Sequence, residues 1–156
     1  EICFNLGLKI LIFSKSFESI KKDYPDYIST NLNNIFKDAD IISFHCKPKT
    51  DGSSIIGAKE LNQMKDSALI INTARGNLVS EEDLYDALKN NKIRGAALDV
   101  FNTEPAKNNI LFGLDNIILT PHVAASTSEA QIIVAEMVAN QFVDYFLKNK
   151  IINAVT

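Results

Sequence analysis

Short β-rich apolar runs alternate with stretches of helical period along nearly the whole chain. That alternation constrains the fold more than any other feature of the sequence. Lys9–Phe13 (KILIF), Asp40–Cys46 (DIISFHC), Leu69–Ile71, Gly95–Phe101 (GAALDVF) and Asn116–Thr120 (NIILT) read as strands, and 27–30 as a short edge strand. DIISFHC reads as a buried strand, and Cys46 within it as a small buried side chain. Between the strands, 16–23, 33–39, 58–64 and 81–90 carry helical patterns. Residues 1–6 read as the end of a helix stopped at Gly7. Residues 126–148 read as a long helix started by Ser126 or Ser128. Its apolar face is formed by Ile132, Ile133, Ala135, Ala139, Phe142 and Phe146. Strands of about five residues alternating with helices of about ten predict βαβ units. The expected fold is α/β, a doubly wound parallel sheet with helices on both faces.

The most informative single stretch is 69–84. The run Leu69-Ile70-Ile71 stops at Asn72-Thr73-Ala74-Arg75-Gly76, a turn-forming sequence. After Leu78-Val79 comes Ser80, followed by Glu81, Glu82 and Asp83. Ser80 reads as an N-cap with carboxylates in the first turn behind it. The pattern is strand, tight loop, helix, with Arg75 just past the strand's C-terminal end. In open α/β sheets ligands bind at that end, and a guanidinium there suits a carboxylate or phosphate. A surface arginine closing a loop is the plainer alternative.

Composition excludes several classes. The chain has 156 residues, enough for one domain with a substantial core. Its net charge of -3 speaks against a basic nucleic-acid surface. No apolar run reaches the length of a membrane span. The 2 cysteines, Cys3 and Cys46, stand in no metal or redox spacing. With no signal peptide visible, they point to a reducing cytosol. The chain opens on Glu1, within what reads as the end of a helix, so it is expected to be a piece of a longer protein.

In a parallel sheet the C-terminal ends of all strands lie on one edge. Ser14 follows the first strand, and His45 and Cys46 end the DIISFHC strand. Arg75 follows the central one, Asp99 and Glu104 end or follow GAALDVF, and His122 follows NIILTP. Arginine, carboxylate and histidine therefore converge from three successive strands. Histidine transfers protons near neutral pH. A carboxylate beside it stabilises its charged form and fixes its tautomer. Arginine holds a carboxylate at two points and polarises a neighbouring carbonyl. These groups suit reversible reduction of a 2-keto acid, with hydride supplied by a nicotinamide cofactor. Each residue alone also has a structural reading. His122 suits the approach to a helix, Glu104 a solvated loop, Asp99 a turn, and His45 a structural position.

NTARG (72–76), LDVFNTEP (98–105) and TPHVAAST (120–127), in this order and spacing, resemble the NAD-dependent D-isomer-specific 2-hydroxyacid dehydrogenases. The resemblance covers essentially the whole chain. It implies that Arg75 anchors substrate, that His122 donates or accepts the proton, and that Glu104 pairs with His122. It also implies that Asp99 contacts the nicotinamide carboxamide. Ser14, Cys46, Thr73, Ala74, Arg75, His122, Ala124 and Ala125 would then line the cofactor site. The implied fold is a Rossmann-type sheet, here without its first strand and glycine-rich loop, because no GxGxxG occurs. Residues 1–156 would be part of an NAD(P)-binding domain whose final helix and tail return toward a substrate domain outside this sequence.

Within the family, STSEAQ (126–131) and the ending INAVT most resemble the 3-phosphoglycerate dehydrogenases of serine synthesis. Relatives acting on glyoxylate, hydroxypyruvate or lactate share the same trio, as do NAD(H)-sensing corepressors. The resemblance further implies a small-molecule partner, a 2-hydroxy or 2-keto acid, and an assembly of two or more subunits. Where the family usually has an acid for the ribose hydroxyls, this chain has Ser14-Lys15, which leaves NADP open beside NAD. Lys47 replaces a common proline. Ala124 stands where glycine is frequent, bringing a methyl group toward the nicotinamide.

Overall fold

Apolar runs become strands and stretches of helical period become helices, in the predicted order. A computed structural model describes residues 1–154. The chain divides into two units, Glu1–Pro121 and His122–Thr156. The first contains α1 (Ile2–Asn5), β1 (Leu11–Ile12), α2 (Phe17–Ile20), β2 (Ile28–Ser29), α3 (Leu32–Asp38) and β3 (Ile41–Phe44). It continues with α4 (Ala58–Leu61), β4 (Leu69–Asn72), α5 (Glu81–Lys89), β5 (Gly95–Leu98) and β6 (Ile117–Leu119). The second contains α6 (Ser128–Lys148). Of the predicted INAVT tail, Val155 and Thr156 lie outside the described residues.

All described strand pairs are parallel. β3, β4, β5 and β6 form one sheet in that order, while β1 and β2 form a separate pair. The Rossmann-like α/β architecture is therefore present, with one difference from the predicted continuous edge. Ser14, beyond β1, belongs to a different hydrogen-bonded sheet from Cys46, Asn72 and Asp99. In the larger sheet the register is even. Phe44 pairs with Asn72, Asn72 with Leu98, and Leu98 with Leu119. One row of residues thus closes all four strands at the same level.

The core lies between this sheet and the helices packed on it. Ile70, Leu84 and Leu88 are almost completely buried, together with Phe36, Phe44 and Leu61. Residues Leu84, Ala87 and Leu88 of α5 fall at i, i+3 and i+4, one face of a helix, and that face is the buried one. Ser80 caps α5 as predicted, its hydroxyl accepting the Asp83 N–H at 3.3 Å. Asn31 caps α3 by accepting the Asn34 N–H at 2.9 Å.

Three local expectations need correcting. DIISFHC is not a fully buried strand: Ile42 and Phe44 are buried, but Ile41 and Ser43 face solvent, because only one face of β3 is covered. Cys46, expected to be a small buried side chain, is exposed in the loop beyond that strand. The N-cap of α6 is neither Ser126 nor Ser128 but Thr127, whose extended backbone lets its hydroxyl accept the Ala130 N–H at 3.1 Å. The apolar residues of α6 recur as predicted, yet none is buried, and Ile132, Val138, Phe142 and Phe146 are all exposed.

Candidate active site at the strand ends

Beyond the row Phe44–Asn72–Leu98–Leu119, the chain leaves the sheet four times. Those exits carry most of the predicted residues. At the first exit, His45 Nε2 lies 3.0 Å from the Ser43 hydroxyl, a partner two residues back that the sequence reading had not assigned. Both side chains, and Cys46, are exposed.

The second exit is the turn 72–76, and its conformation is set by Asn72. This side chain is 1% exposed. Its Oδ1 accepts the Ala74 N–H at 3.1 Å, and its Nδ2 donates to the Arg75 carbonyl at 2.8 Å. The Asn72 side chain therefore replaces backbone partners across the turn. It fixes the Thr73-Ala74 peptide and the point at which Arg75 emerges. Arg75 is exposed, and its Nη1 donates to the Ala74 carbonyl at 2.6 Å. Asn72 was legible in the sequence only as a turn former, because its second role depends on burial.

The third exit holds Asp99. It is 4% exposed, and its backbone N–H donates to the Asn72 carbonyl at 2.9 Å. The Thr120 hydroxyl, at the fourth exit, donates to the Asp99 carboxylate. The Thr120 N–H also donates to the Leu98 carbonyl at 3.0 Å, so the β6 end is held against the β5 end twice. A buried carboxylate is costly to leave without donors, and Thr120 supplies one. Asp99 is thus no ordinary turn acid. Its partner Thr120 was missed because the pairing spans 21 residues and needs the strand register.

Beyond Asp99 the chain turns through Phe101–Glu104. The Glu104 carboxylate accepts the Phe101 N–H at 2.9 Å, and Glu104 itself is exposed. This loop rests directly on the Arg75 turn. A Cβ placed on Gly76 would overlap the Phe101 carbonyl, so only glycine permits the approach. Glu81, at the start of α5, fastens the same loop. Its Oε1 accepts the Asn102 N–H at 2.8 Å, and its Oε2 accepts from Asn109 Nδ2 at 2.8 Å. In the first unit, then, Thr73, Ala74, Arg75, Asp99 and Glu104 gather at one end of one sheet. Ser14 stands apart on β1 and β2, where its hydroxyl lies 3.1 Å from that of Ser16.

In the second unit, His122 opens the chain with φ of 56°, and Ala124 and Ala125 follow it. A left-handed backbone is uncommon for histidine and costs energy unless the surroundings impose it. The sequence did not suggest this backbone conformation.

The donor set fits a nicotinamide carboxamide at the edge of β4 and β5. There a buried carboxylate, Asp99, is bonded through its backbone N–H to Asn72, whose side chain fixes the Thr73-Ala74 backbone. No phosphate-cradling GxGxxG loop occurs in the sequence. A cleft of about 580 Å³ elsewhere, lined by Asp66, Asp83, Asp86, Asn90 and Lys92 among others, lies between α4 and α5 and includes none of these residues. Among the described residues no group of histidines, cysteines and carboxylates is arranged to hold a metal. Likewise, no described helix is long and apolar enough to cross a membrane.

Comparison with known proteins identifies the family. Residues 1–124 match the family described as "D-isomer specific 2-hydroxyacid dehydrogenase, NAD binding domain". The D-3-phosphoglycerate dehydrogenase of Methanocaldococcus jannaschii is 49% identical over 111 residues, 71% of this chain and 21% of that protein. The glyoxylate reductase of Thermococcus litoralis is 38% identical over 144 residues, 89% of this chain and 42% of that protein. Among solved structures, an acyclic imino acid reductase in complex with NADPH and D-Arg superposes with a TM-score of 0.85 at 34% identity. That superposition covers 99% of this chain and 48% of the reductase. The chain thus spans roughly a fifth to a half of the proteins it matches. A turn carrying arginine, a buried aspartate and a glutamate loop meet at the strand ends of an α/β domain whose sequence matches one family over most of its length: the chain belongs to the NAD-binding domain family of the D-isomer-specific 2-hydroxyacid dehydrogenases.

Proposed function

We infer that this chain supplies the cofactor-side half of the active site in an NAD(P)-dependent D-2-hydroxyacid dehydrogenase. One observation carries the reading. The Arg75 turn and the Glu104 loop are packed backbone against backbone at Gly76, at the ligand-binding edge of the sheet. When bound, the nicotinamide supplies or accepts the hydride at the 2-carbon. Arg75 binds the substrate carboxylate and polarises the keto oxygen. His122 donates a proton to that oxygen in reduction and removes it in oxidation. Glu104 is its carboxylate partner, stabilising the imidazolium and fixing its tautomer. Asp99, held by Thr120, accepts a hydrogen bond from the carboxamide. Thr73, Ala74, Ala124 and Ala125 line the nicotinamide, and Cys46 and Ser14 lie toward the adenosine side.

The proposed substrate pair is 3-phosphoglycerate and 3-phosphohydroxypyruvate. The identity with the phosphoglycerate dehydrogenase of Methanocaldococcus jannaschii and the resemblance of STSEAQ support it. A second reading, reduction of an unphosphorylated acid, is supported by the similarity to a glyoxylate reductase. NAD is the proposed cofactor. The exposed Ser14-Lys15 pair, without an acid to repel a 2′-phosphate, supports use of NADP as well. We further propose a cytoplasmic enzyme of two or more subunits.

The test uses the full-length protein. NADH and NADPH oxidation is followed with 3-phosphohydroxypyruvate, glyoxylate, hydroxypyruvate and pyruvate. Preference for the phosphorylated acid supports the first reading, and preference for an unphosphorylated acid supports the second. His122→Gln is expected to lower kcat by at least about 100-fold while NADH affinity is kept. Cofactor binding without turnover of any acid would instead favour a sensing protein, and unchanged turnover in His122→Gln would remove the proton-transfer role.

A further inference from the structure

We propose that Glu81 is a positioning residue that sets the Glu104 carboxylate through the loop 101–109, and so couples the helix behind the Arg75 turn to the acid–base step. The proposal rests on the reading of Glu104 as the carboxylate partner of His122. Glu81 is the first residue of α5 after its cap Ser80, where a carboxylate already favours the helix N-terminus. Its side chain does more than that. Both carboxylate oxygens are used, one by the Asn102 backbone N–H and one by the Asn109 side-chain amide, each at 2.8 Å. Asn109 Oδ1 in turn accepts the Leu111 N–H at 2.9 Å, and Leu111 is completely buried. The far end of the loop is therefore anchored to the core and tied back to α5.

At the near end, Asn102 follows Phe101, whose N–H donates to Glu104 Oε1 at 2.9 Å. Glu81 and Glu104 thus accept two successive backbone N–H groups of one chain segment. The segment is pinned from the other side by Gly76, whose missing Cβ admits the Phe101 carbonyl. Three contacts fix the Phe101–Asn102 segment: Gly76 beneath it, Glu81 on the Asn102 N–H and Glu104 on the Phe101 N–H. Charge-assisted hydrogen bonds are the stronger kind. Removing the Glu81 carboxylate leaves the Asn102 N–H and the Asn109 amide without this acceptor, and the segment that orients Glu104 loses one of its three restraints.

The test is a cycle in the full-length enzyme with Glu81→Ala, Glu81→Gln, Glu104→Gln and Glu81→Ala/Glu104→Gln. A displacement of about 1 Å in a catalytic group costs on the order of 100-fold in rate. Glu81→Ala is therefore expected to lower kcat by about 10-fold to 100-fold, with KM for the keto acid and NADH affinity changed by less than about threefold. Glu81→Gln retains an acceptor for Asn102 and should lie between wild type and Glu81→Ala. In the Glu104→Gln background, Glu81→Ala should cost nothing further, since residues acting through one another are not additive.

Equal losses from Glu81→Ala in both backgrounds would overturn the proposal, as would a loss carried by KM with kcat unchanged. Loss of turnover in Glu104→Gln with none in Glu81→Ala would remove Glu81 alone. Unchanged turnover in Glu104→Gln would remove both this proposal and the role given to Glu104. Failure of Glu81→Ala and Glu81→Gln alike to fold would assign the residue to stability and overturn the proposal.

Discussion

Gly76 shows how one missing side chain organises a site. Its neighbour Arg75 is the proposed substrate anchor, but Gly76 decides whether the Arg75 turn and the Phe101–Glu104 loop can meet. A methyl group there has to displace backbone rather than a flexible side chain, because the nearest atoms belong to the Phe101 carbonyl. Overpacking of this kind costs about 1–3 kcal/mol. Gly76→Ala is accordingly expected to lower the denaturation midpoint of the full-length protein and to reduce kcat/KM more than it reduces NADH affinity. Chemical denaturation and steady-state kinetics measure the two effects side by side. The arginine was legible in the sequence because its charge follows a strand and precedes a capped helix. The glycine was legible only as a turn former. Asn72 and Thr120 are alike in this respect, since their work consists of bonds to the Arg75 carbonyl and the Asp99 carboxylate, both fixed by the fold.

At the scale of the element, the segments differ in what makes them helical. α5 has a capped start, three carboxylates in its first turn and a buried face. Ser80→Ala removes one cap and is expected to cost about 1 kcal/mol, read as a shift in the urea midpoint at unchanged m-value. α6 is capped by Thr127 and ends on Asn149 at φ of 50°, a left-handed position that asparagine tolerates. Near that end Lys148 Nζ donates to Asp144 Oδ1 at 2.6 Å, and this bond holds the Asp144 carboxyl below its ordinary value of 3.8. A carboxyl lowered in the folded state stabilises fully above its unfolded value and ceases to do so as pH falls through its native one. The contribution of this pair to the last turn of α6 should therefore be lost as pH falls below about 3.8, visible as a shift of the Asn149 amide signal in an NMR titration, and Lys148→Met should abolish that dependence.

For the whole molecule, the two units hold their residues differently. The first is organised around a four-stranded parallel sheet with Ile70, Leu78, Leu84 and Leu111 completely buried. The second buries none of the residues of its helix. Hydrogen exchange on the 156-residue chain should show slow exchange in β4 and β5 and exchange faster by at least about 100-fold in α6, since local opening is governed by buried apolar contact. Equal protection in both would contradict the burial described here. The sequence by itself determined the order of strands and helices, because hydrophobic period and capping chemistry are local. It also determined the family, because its motifs are contiguous, and those motifs are the ground for the roles proposed for Arg75, Glu104 and His122. Only the tertiary structure decided what depends on neighbours distant in the chain. That includes the in-register row that levels the strand ends, the separation of β1 and β2 from the larger sheet, and the burial of Asp99 beside Thr120. It also includes the contact of Gly76 with Phe101 and the grip of Glu81 on the Glu104 loop. The physical reason is the same in each case: a side chain's period is written along the chain, whereas its partner is set by which strands pair and by what their packing leaves room for.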